Sequence, residues 1–123
     1  MSPGVTDSKL SPCPKSPNCV STQSTEIRSK IEPIYYETSR GEAINKIIDV
    51  INSIKRSKII TRDYDYIHVE FRTRTFKFVD DVEFYFNAEE KMIHFRSASR
   101  IGYGDFGVNR RRMEDTRRRF LSL

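Results

Sequence analysis

The spacing of isoleucine predicts one long amphipathic helix in the first half of the chain. Isoleucine recurs with a helical period at Ile44, Ile47, Ile48, Ile51 and Ile54. This repeat places all five side chains on one helical face. Ser39 and Glu42 have the spacing of a capping box, so the helix is predicted over residues 40–55. Burying five isoleucines contributes roughly 7–15 kcal/mol before the entropy cost, so we interpret this face as core.

Beyond residue 56 the apolar positions alternate with polar ones. Ile67, Val69 and Phe71 alternate with histidine and charged residues, and the same period of two recurs at residues 82–86 and 93–95. Such alternation is typical of an antiparallel sheet with one buried face and one more hydrated face.

Two weaker patterns complete the predicted fold. Short strands are predicted at residues 31–36 and 58–61, and a second helix is predicted over residues 109–121 with Asn109 as its N-cap. The predicted fold class is therefore α+β. We expect an antiparallel sheet of four or five strands, with one long helix packed on one face and a C-terminal helix.

The length of 123 residues predicts a single domain. Residues 1–26 are rich in Pro, Ser and Thr and show no periodicity, which predicts an extended, partly disordered N-terminal segment before a single α+β domain at residues 27–123. The chain contains no apolar run long enough to span a membrane, and its N-terminus lacks the pattern of a signal peptide. These features predict a cytoplasmic protein without a transmembrane segment.

The two cysteines, Cys13 and Cys19, leave two interpretations open. Structural or unpaired thiols are the favoured interpretation, and a disulfide formed in an oxidising compartment is the alternative. A metal site would need more ligands nearby, but His68 and His94 are the only histidines and both fall in predicted strands. We therefore predict no metal and no cofactor.

The sequence carries little sign of catalysis. Asp80 and Asp81 are adjacent on a predicted strand, so their carboxylates point to opposite faces and make a poor acid–base pair. The question of an enzyme stays open, with a non-enzymatic protein favoured.

The positive charge of the chain is concentrated near its C-terminus. The formal net charge is +5. Residues 1–95 are formally neutral, so the whole excess lies in residues 96–123, where the basic residues are Arg96, Arg100, Arg110, Arg111, Arg112, Arg117, Arg118 and Arg119. This concentration predicts that the region holds negative charge, supplied either by a ligand or by the protein's own carboxylates.

The first interpretation of the basic region is a site for a small anion. A glycine-rich loop that enters a helix N-terminus presents free N–H groups, and arginines add charge-assisted hydrogen bonds. The candidate ligand-binding residues are Arg96, Ser97, Ser99, Arg100, Gly102, Asn109 and Arg110. The glycine spacing also fits a dinucleotide motif, but the chain has no following strand with an acidic residue, so that cofactor is not expected.

The alternative is a structural or protein-interaction module in which the same arginines pair internally. The candidate residues of this network are Asp80, Asp81, Asp105 and Arg112. Nucleic acid is not a favoured partner, because Glu114 and Asp115 interrupt the basic helix and no nucleic-acid-binding motif is present. The oligomeric state is left open.

Three separated motifs carry a resemblance to a known family. They are residues 10–21 (LSPCPKSPNCVS), residues 78–84 (FVDDVEF) and residues 96–110 (RSASRIGYGDFGVNR) followed by Arg112. Together they resemble domain-of-unknown-function family 1499, in the same order and over nearly the whole chain from Leu10 onward. The resemblance implies a small α+β domain and assigns no activity or catalytic residue.

Overall fold

The computed structural model describes residues 3–15, 17–74, 78–101 and 107–123. Within these ranges the elements are β1 (Val5–Thr6), β2 (Lys9–Leu10), β3 (Cys19–Ser21), β4 (Ile34–Tyr35), α1 (Arg40–Asn52), β5 (Ser57–Arg62), β6 (Tyr66–Arg72), β7 (Val79–Asn87), β8 (Met92–Ser99) and α2 (Val108–Leu121). The protein is α+β, as its sequence pattern predicts.

The main sheet is antiparallel and follows the order β3-β8-β7-β6-β5, with β4 also pairing with β8. It has six strands in the described part of the chain, where four or five were predicted. The additional strand is β3, whose three residues are too few to show alternation after a proline-rich stretch. It pairs with Arg96–Ala98 of β8, while β4 pairs with the start of the same strand.

Helix α1 begins where the capping box predicts. Ser39 is the N-cap, and its hydroxyl accepts a hydrogen bond from the Glu42 N–H at 3.2 Å. The helix ends at Asn52 and not at residue 55, because Ser53 closes it with backbone hydrogen bonds. Arg56 then takes a φ of 63°, which turns the chain into β5. The isoleucine stripe is the core face, with Ile48 and Ile54 at its partly buried margin.

Both helices cover the same face of the sheet. The buried side chains of α1 pack with Val69, Phe84 and Phe95 of the central strands in one hydrophobic cluster. Met113 and Phe120 of α2 join that cluster. The chain therefore buries one face of the sheet with apolar contacts, as the alternation predicts.

The opposite face is also buried, contrary to the prediction of a more hydrated face. Residues before β3 lie across it, where the Gly4 N–H donates to Glu83 Oε1 at 2.7 Å and Arg96 donates to the Pro12 carbonyl at 3.5 Å. Glu83 is 0% exposed and Arg96 is 3% exposed. These charged side chains can be buried because each lies opposite the other on neighbouring strands.

The expectation of unpaired thiols is wrong, because Cys13 and Cys19 form a disulfide. Cys19 belongs to β3, so the bond ties the N-terminal segment to the sheet. The pairing was the alternative left open by the sequence.

The N-cap of α2 is Gly107 and not Asn109 as predicted. Gly107 has a φ of 78°, a left-handed conformation that glycine adopts without strain. Asn109 lies inside the first turn, is fully buried and points toward the sheet. Its side chain is therefore used for packing the helix and not for capping it.

Candidate functional site

Arg100 forms a fork on the face of the sheet under the N-terminal segment. Its Nε and Nη2 donate to the two oxygens of Asp81 at 2.8 and 2.9 Å, and Nη2 also contacts Glu70 Oε2 at 2.5 Å. The hydrogen bond to Asp81, followed by the one to Glu70, raises the pKa of Arg100. This guanidinium group is thus neutralised by two acids of the protein itself.

Asp81 also contacts the His68 ring, whose Nε2 is 2.7 Å from Asp81 Oδ1. Burial alone would raise the pKa of Asp81, but hydrogen bonds from Arg100 and His68 outweigh that effect and lower it. The carboxylate therefore stays ionised in a largely buried position.

A second buried cluster surrounds Glu83. One carboxylate oxygen accepts from the Tyr66 hydroxyl and the Gly4 N–H, both at 2.7 Å, and the other is 3.4 Å from Arg96 Nη1. Burial, followed by the hydrogen bond to Glu83, raises the pKa of Tyr66. Arg96 Nε is a buried atom without a hydrogen-bond partner in the described part of the chain. This cluster lies beneath the N-terminal segment, so it acts as a polar core.

A third cluster lies on the helix-covered face. Asn109 Oδ1 accepts from the Ser97 hydroxyl at 2.6 Å and from Arg112 at 3.0 Å, while its amide donates to Ser99 Oγ at 3.0 Å. Arg112 Nη2 is 2.8 Å from Asp80 Oδ2. The two adjacent aspartates thus serve opposite faces of the sheet, as their positions on one strand predict.

Two further arginines of α2 bind backbone carbonyls. Arg110 donates to the carbonyls of Arg28 and Lys30, each at 3.0 Å, and Arg117 donates to the carbonyls of Glu32 and Pro33. The helix is thereby fastened to the segment that leads into β4. Arg118 and Arg119 pair with Asp115 on their own helix.

The predicted anion-site residues do not converge on one place. Arg96 and Arg100 point to the face under the N-terminal segment, whereas Ser97 and Ser99 point to the helix-covered face. Arg110 reaches a third location. Strand alternation causes this separation. Two predicted residues, Gly102 and Asp105, lie outside the described residues.

A cleft that the sequence did not indicate lies beside the Cys13–Cys19 disulfide. Its volume is about 910 Å³. Among the described residues, its lining contains three basic side chains, Lys9, Lys15 and Arg28, and one acid, Glu26. Arg28 Nη2 donates to the Lys15 carbonyl at 2.9 Å, which joins two parts of the wall. The basic residues are spread over residues 9–28, so the sequence shows no local run of positive charge that would predict the cleft.

The walls of this cleft are conformationally restricted. Pro12, Pro14 and Pro17 line it together with the disulfide, and each proline fixes one backbone angle. Ser24 and Ser29 add hydroxyl groups that lie 2.6 Å apart. The site therefore combines a preformed wall, positive charge and hydroxyl donors.

Among the described residues no group of three or more His, Cys, Asp or Glu side chains has the geometry to hold a metal ion. Within the same ranges, neither helix has the length and apolar character that crossing a membrane requires.

Comparison with known proteins gives a family and no activity. None of the curated proteins matches the chain. A family model described as a protein of unknown function, DUF1499, matches residues 9–120, which is nearly the whole chain and includes all three motifs noted in the sequence. The α+β fold implied by that resemblance is the fold observed. The chain therefore belongs to the DUF1499 family.

Proposed function

We propose that this protein is a binding domain that holds a small anionic ligand in the cleft beside the Cys13–Cys19 disulfide. The observation that carries the proposal is the charge of the cleft, whose described lining has the three cations Lys9, Lys15 and Arg28 against the acid Glu26. A concave site of one sign concentrates ligands of the opposite sign. The ligand class is a compound with phosphate, sulfate or carboxylate groups.

The cations of the cleft differ from those of the C-terminal region in their partners. In the described part of the chain, neither Lys9 nor Lys15 has a side-chain hydrogen bond or ion pair, and both are exposed. Arg96 and Arg100 instead contact buried or partly buried acids. To bind Arg96 or Arg100, an incoming anion would have to displace the acids that pair with them. In the cleft, the anion instead meets positive charge that is not neutralised.

The preformed wall supports a binding role. Rigid prolines and a disulfide reduce the entropy lost when a ligand orders its site. The volume of about 910 Å³ lies within the range of about 300–1,000 Å³ that is common for small-molecule pockets. The hydroxyls of Ser24 and Ser29 would supply orientation through neutral hydrogen bonds.

The arginines of residues 96–119 then have a structural role. Arg100 and Arg112 pair with Asp81 and Asp80 on the two faces of β7. This arrangement is the internal Arg–Asp network of the alternative interpretation. Within it, the Arg112–Asp80 pair joins α2 to the sheet, and the network leaves binding to other surfaces.

A cytoplasmic location stays a prediction, and the disulfide argues against it. Thiols are kept reduced in most cytosolic proteins, whereas disulfides persist in oxidising compartments. Trapping free thiols with a maleimide in intact cells, before lysis, would report the redox state of Cys13 and Cys19 where the protein resides.

The binding proposal is tested by titrating isotope-labelled protein with inorganic phosphate, sulfate and citrate while its amide resonances are recorded. We expect saturable shifts confined to residues 9–29, with the largest response to the most highly charged anion. The triple variant Lys9→Gln/Lys15→Gln/Arg28→Gln should weaken binding at least tenfold.

A matched control removes three basic residues elsewhere, in the triple variant Lys55→Gln/Lys58→Gln/Arg74→Gln. It lowers the net charge equally, so it should leave the affinity of the cleft within about twofold if local charge dominates. Equal weakening by both triple variants, or the absence of shifts at residues 9–29, would refute the proposal.

A further inference from the structure

We infer that strand β5 (Ser57–Arg62) is a docking edge for an extended acidic segment of a partner protein, which would add to the sheet as a new strand. This inference does not depend on the anion cleft, because the cleft lies beside β3 at the other end of the strand order. Strand addition of this kind uses backbone hydrogen bonds for affinity and side chains for specificity.

The backbone of β5 has one paired edge and one edge without a strand partner. In the described part of the chain β5 pairs with β6 alone and ends the strand order. Such an edge presents a row of N–H and C=O groups that a further strand can pair with. The register shifts between Ile59 and Thr61, and Ile60 at this irregularity is 43% exposed, which supplies an apolar contact for an incoming strand.

The charge of this edge selects the partner. Residues 56–62 contain three basic residues, Arg56, Lys58 and Arg62, and no acid. A groove of about 310 Å³ lies over the neighbouring β5–β6 pair, and its described lining contains four basic residues and one acid, namely Arg56, Lys58, Arg72, Arg74 and Glu70. The single acid is already engaged by Arg100 at 2.5 Å. The groove is therefore net positive and complements acidic side chains.

The same charges disfavour a second copy of the chain as the occupant. Pairing two β5 edges would bring Lys58 and Arg62 of one copy close to the same residues of the other, and like charges in opposed positions destabilise a sheet. Basic residues and bulges also protect exposed edges from unselective aggregation. An edge of this type excludes copies of itself and accepts a strand of opposite charge.

The test uses the full-length protein and a synthetic peptide, acetyl-Asp-Val-Glu-Ile-Asp-Val-Glu-amide, as the probe. We expect amide shifts and slowed hydrogen exchange at residues 57–62, with intermolecular nuclear Overhauser contacts between the peptide backbone and that strand. A peptide with lysine in place of each acidic residue should not bind.

Two matched comparisons separate strand addition from general attraction of charge. Lys58→Glu/Arg62→Glu should weaken binding of the acidic peptide at least tenfold, whereas Lys30→Glu/Arg118→Glu, with the same change in net charge, should change that binding less than threefold. A peptide with N-methyl groups on alternate residues cannot complete the strand pairing and should lose binding.

Three results would each overturn the inference. They are peptide-induced shifts located outside residues 56–62 and 72–74, equal weakening by both double variants, and undiminished binding of the N-methylated peptide. The last result would show attraction to a basic surface without strand pairing. Each double variant is first checked for a native amide spectrum, since all four positions are exposed and should tolerate the changes.

Discussion

Replacing Arg112 with methionine is expected to destabilise the protein strongly through the charge left on Asp80. The two side chains are only 12% and 3% exposed, and Arg112 Nη2 lies 2.8 Å from Asp80 Oδ2. The guanidinium carbon of Arg112 also lies 4.8 Å from the centre of the Phe71 ring. Methionine retains much of the apolar stem, so the variant removes charge while keeping most of the packing.

The size of the expected loss of stability follows from the burial of the Arg112–Asp80 pair. Removing one partner of a buried ion pair costs about 3–5 kcal/mol because the other charge loses its compensation. Removing Arg119 from its pair with Asp115 should cost about 0.2–1 kcal/mol, since the two side chains are 43% and 33% exposed and water screens their charges. The Arg119→Met variant therefore makes the same chemical change on the same helix in an exposed pair.

Urea unfolding followed by circular dichroism measures the difference. With a slope of about 2 kcal/mol per molar urea, Arg112→Met should lower the midpoint by about 1.5–2.5 M and Arg119→Met by less than about 0.5 M. The double variant Asp80→Asn/Arg112→Met should cost less than the sum of its single changes. Equal midpoints for the two arginine variants would refute the argument that burial sets the cost.

Three further results are expected. The depressed pKa of Asp81 means that its stabilising charge is present above about pH 4 and is lost as the pH falls through that pKa. The stability difference between wild type and Asp81→Asn in urea should therefore shrink below about pH 4, and a constant difference would contradict the lowered pKa. Cys13→Ser/Cys19→Ser should cost about 2 kcal/mol in thermal unfolding, as expected for a short disulfide loop, and should abolish any effect of reductant. Ser39→Ala should cost about 1 kcal/mol through the lost helix cap, with Thr38→Ala near neutral.

The parts of the fold that local patterns determine were predictable. The isoleucine repeat and the Ser39 cap fixed α1, and alternation fixed the central strands and the α+β class. The ends of these elements depended on single features that carry no pattern. Gly107 caps α2 through its own left-handed backbone conformation, whereas the sequence pattern favoured Asn109 as the cap.

The parts that depend on distant contacts were not predictable. Gly4 bonds to Glu83 and Pro12 accepts from Arg96, across separations of 79 and 84 residues. No periodicity links such positions, so the polar face of the sheet was expected to be hydrated. The basic cleft was missed for the same reason, since its cations come together only when the N-terminal segment folds back.

The dispersal of the predicted anion-site residues could have been foreseen from alternation alone. The period of two that orients Ile93 and Phe95 continues to Ser99, and it separates Ser97 from Arg96. Grouping Arg96, Ser97, Ser99 and Arg100 into one site by their chemistry overlooked that rule. The position of Arg110 depended on contacts with Arg28 and Lys30, which only the tertiary fold supplies.

The described residues ahead of β3 cover the buried side chains of Glu83 and Arg96, which has a consequence for shortened variants of the protein. The Gly4 N–H donates to Glu83 and the Pro12 carbonyl accepts from Arg96, two side chains that have almost no access to water. The sequence of this N-terminal segment resembles a flexible tail that could be removed. Removing it would nevertheless take hydrogen-bond partners away from two buried charged side chains. A variant that lacks these residues should therefore be assessed as a change to the protein interior.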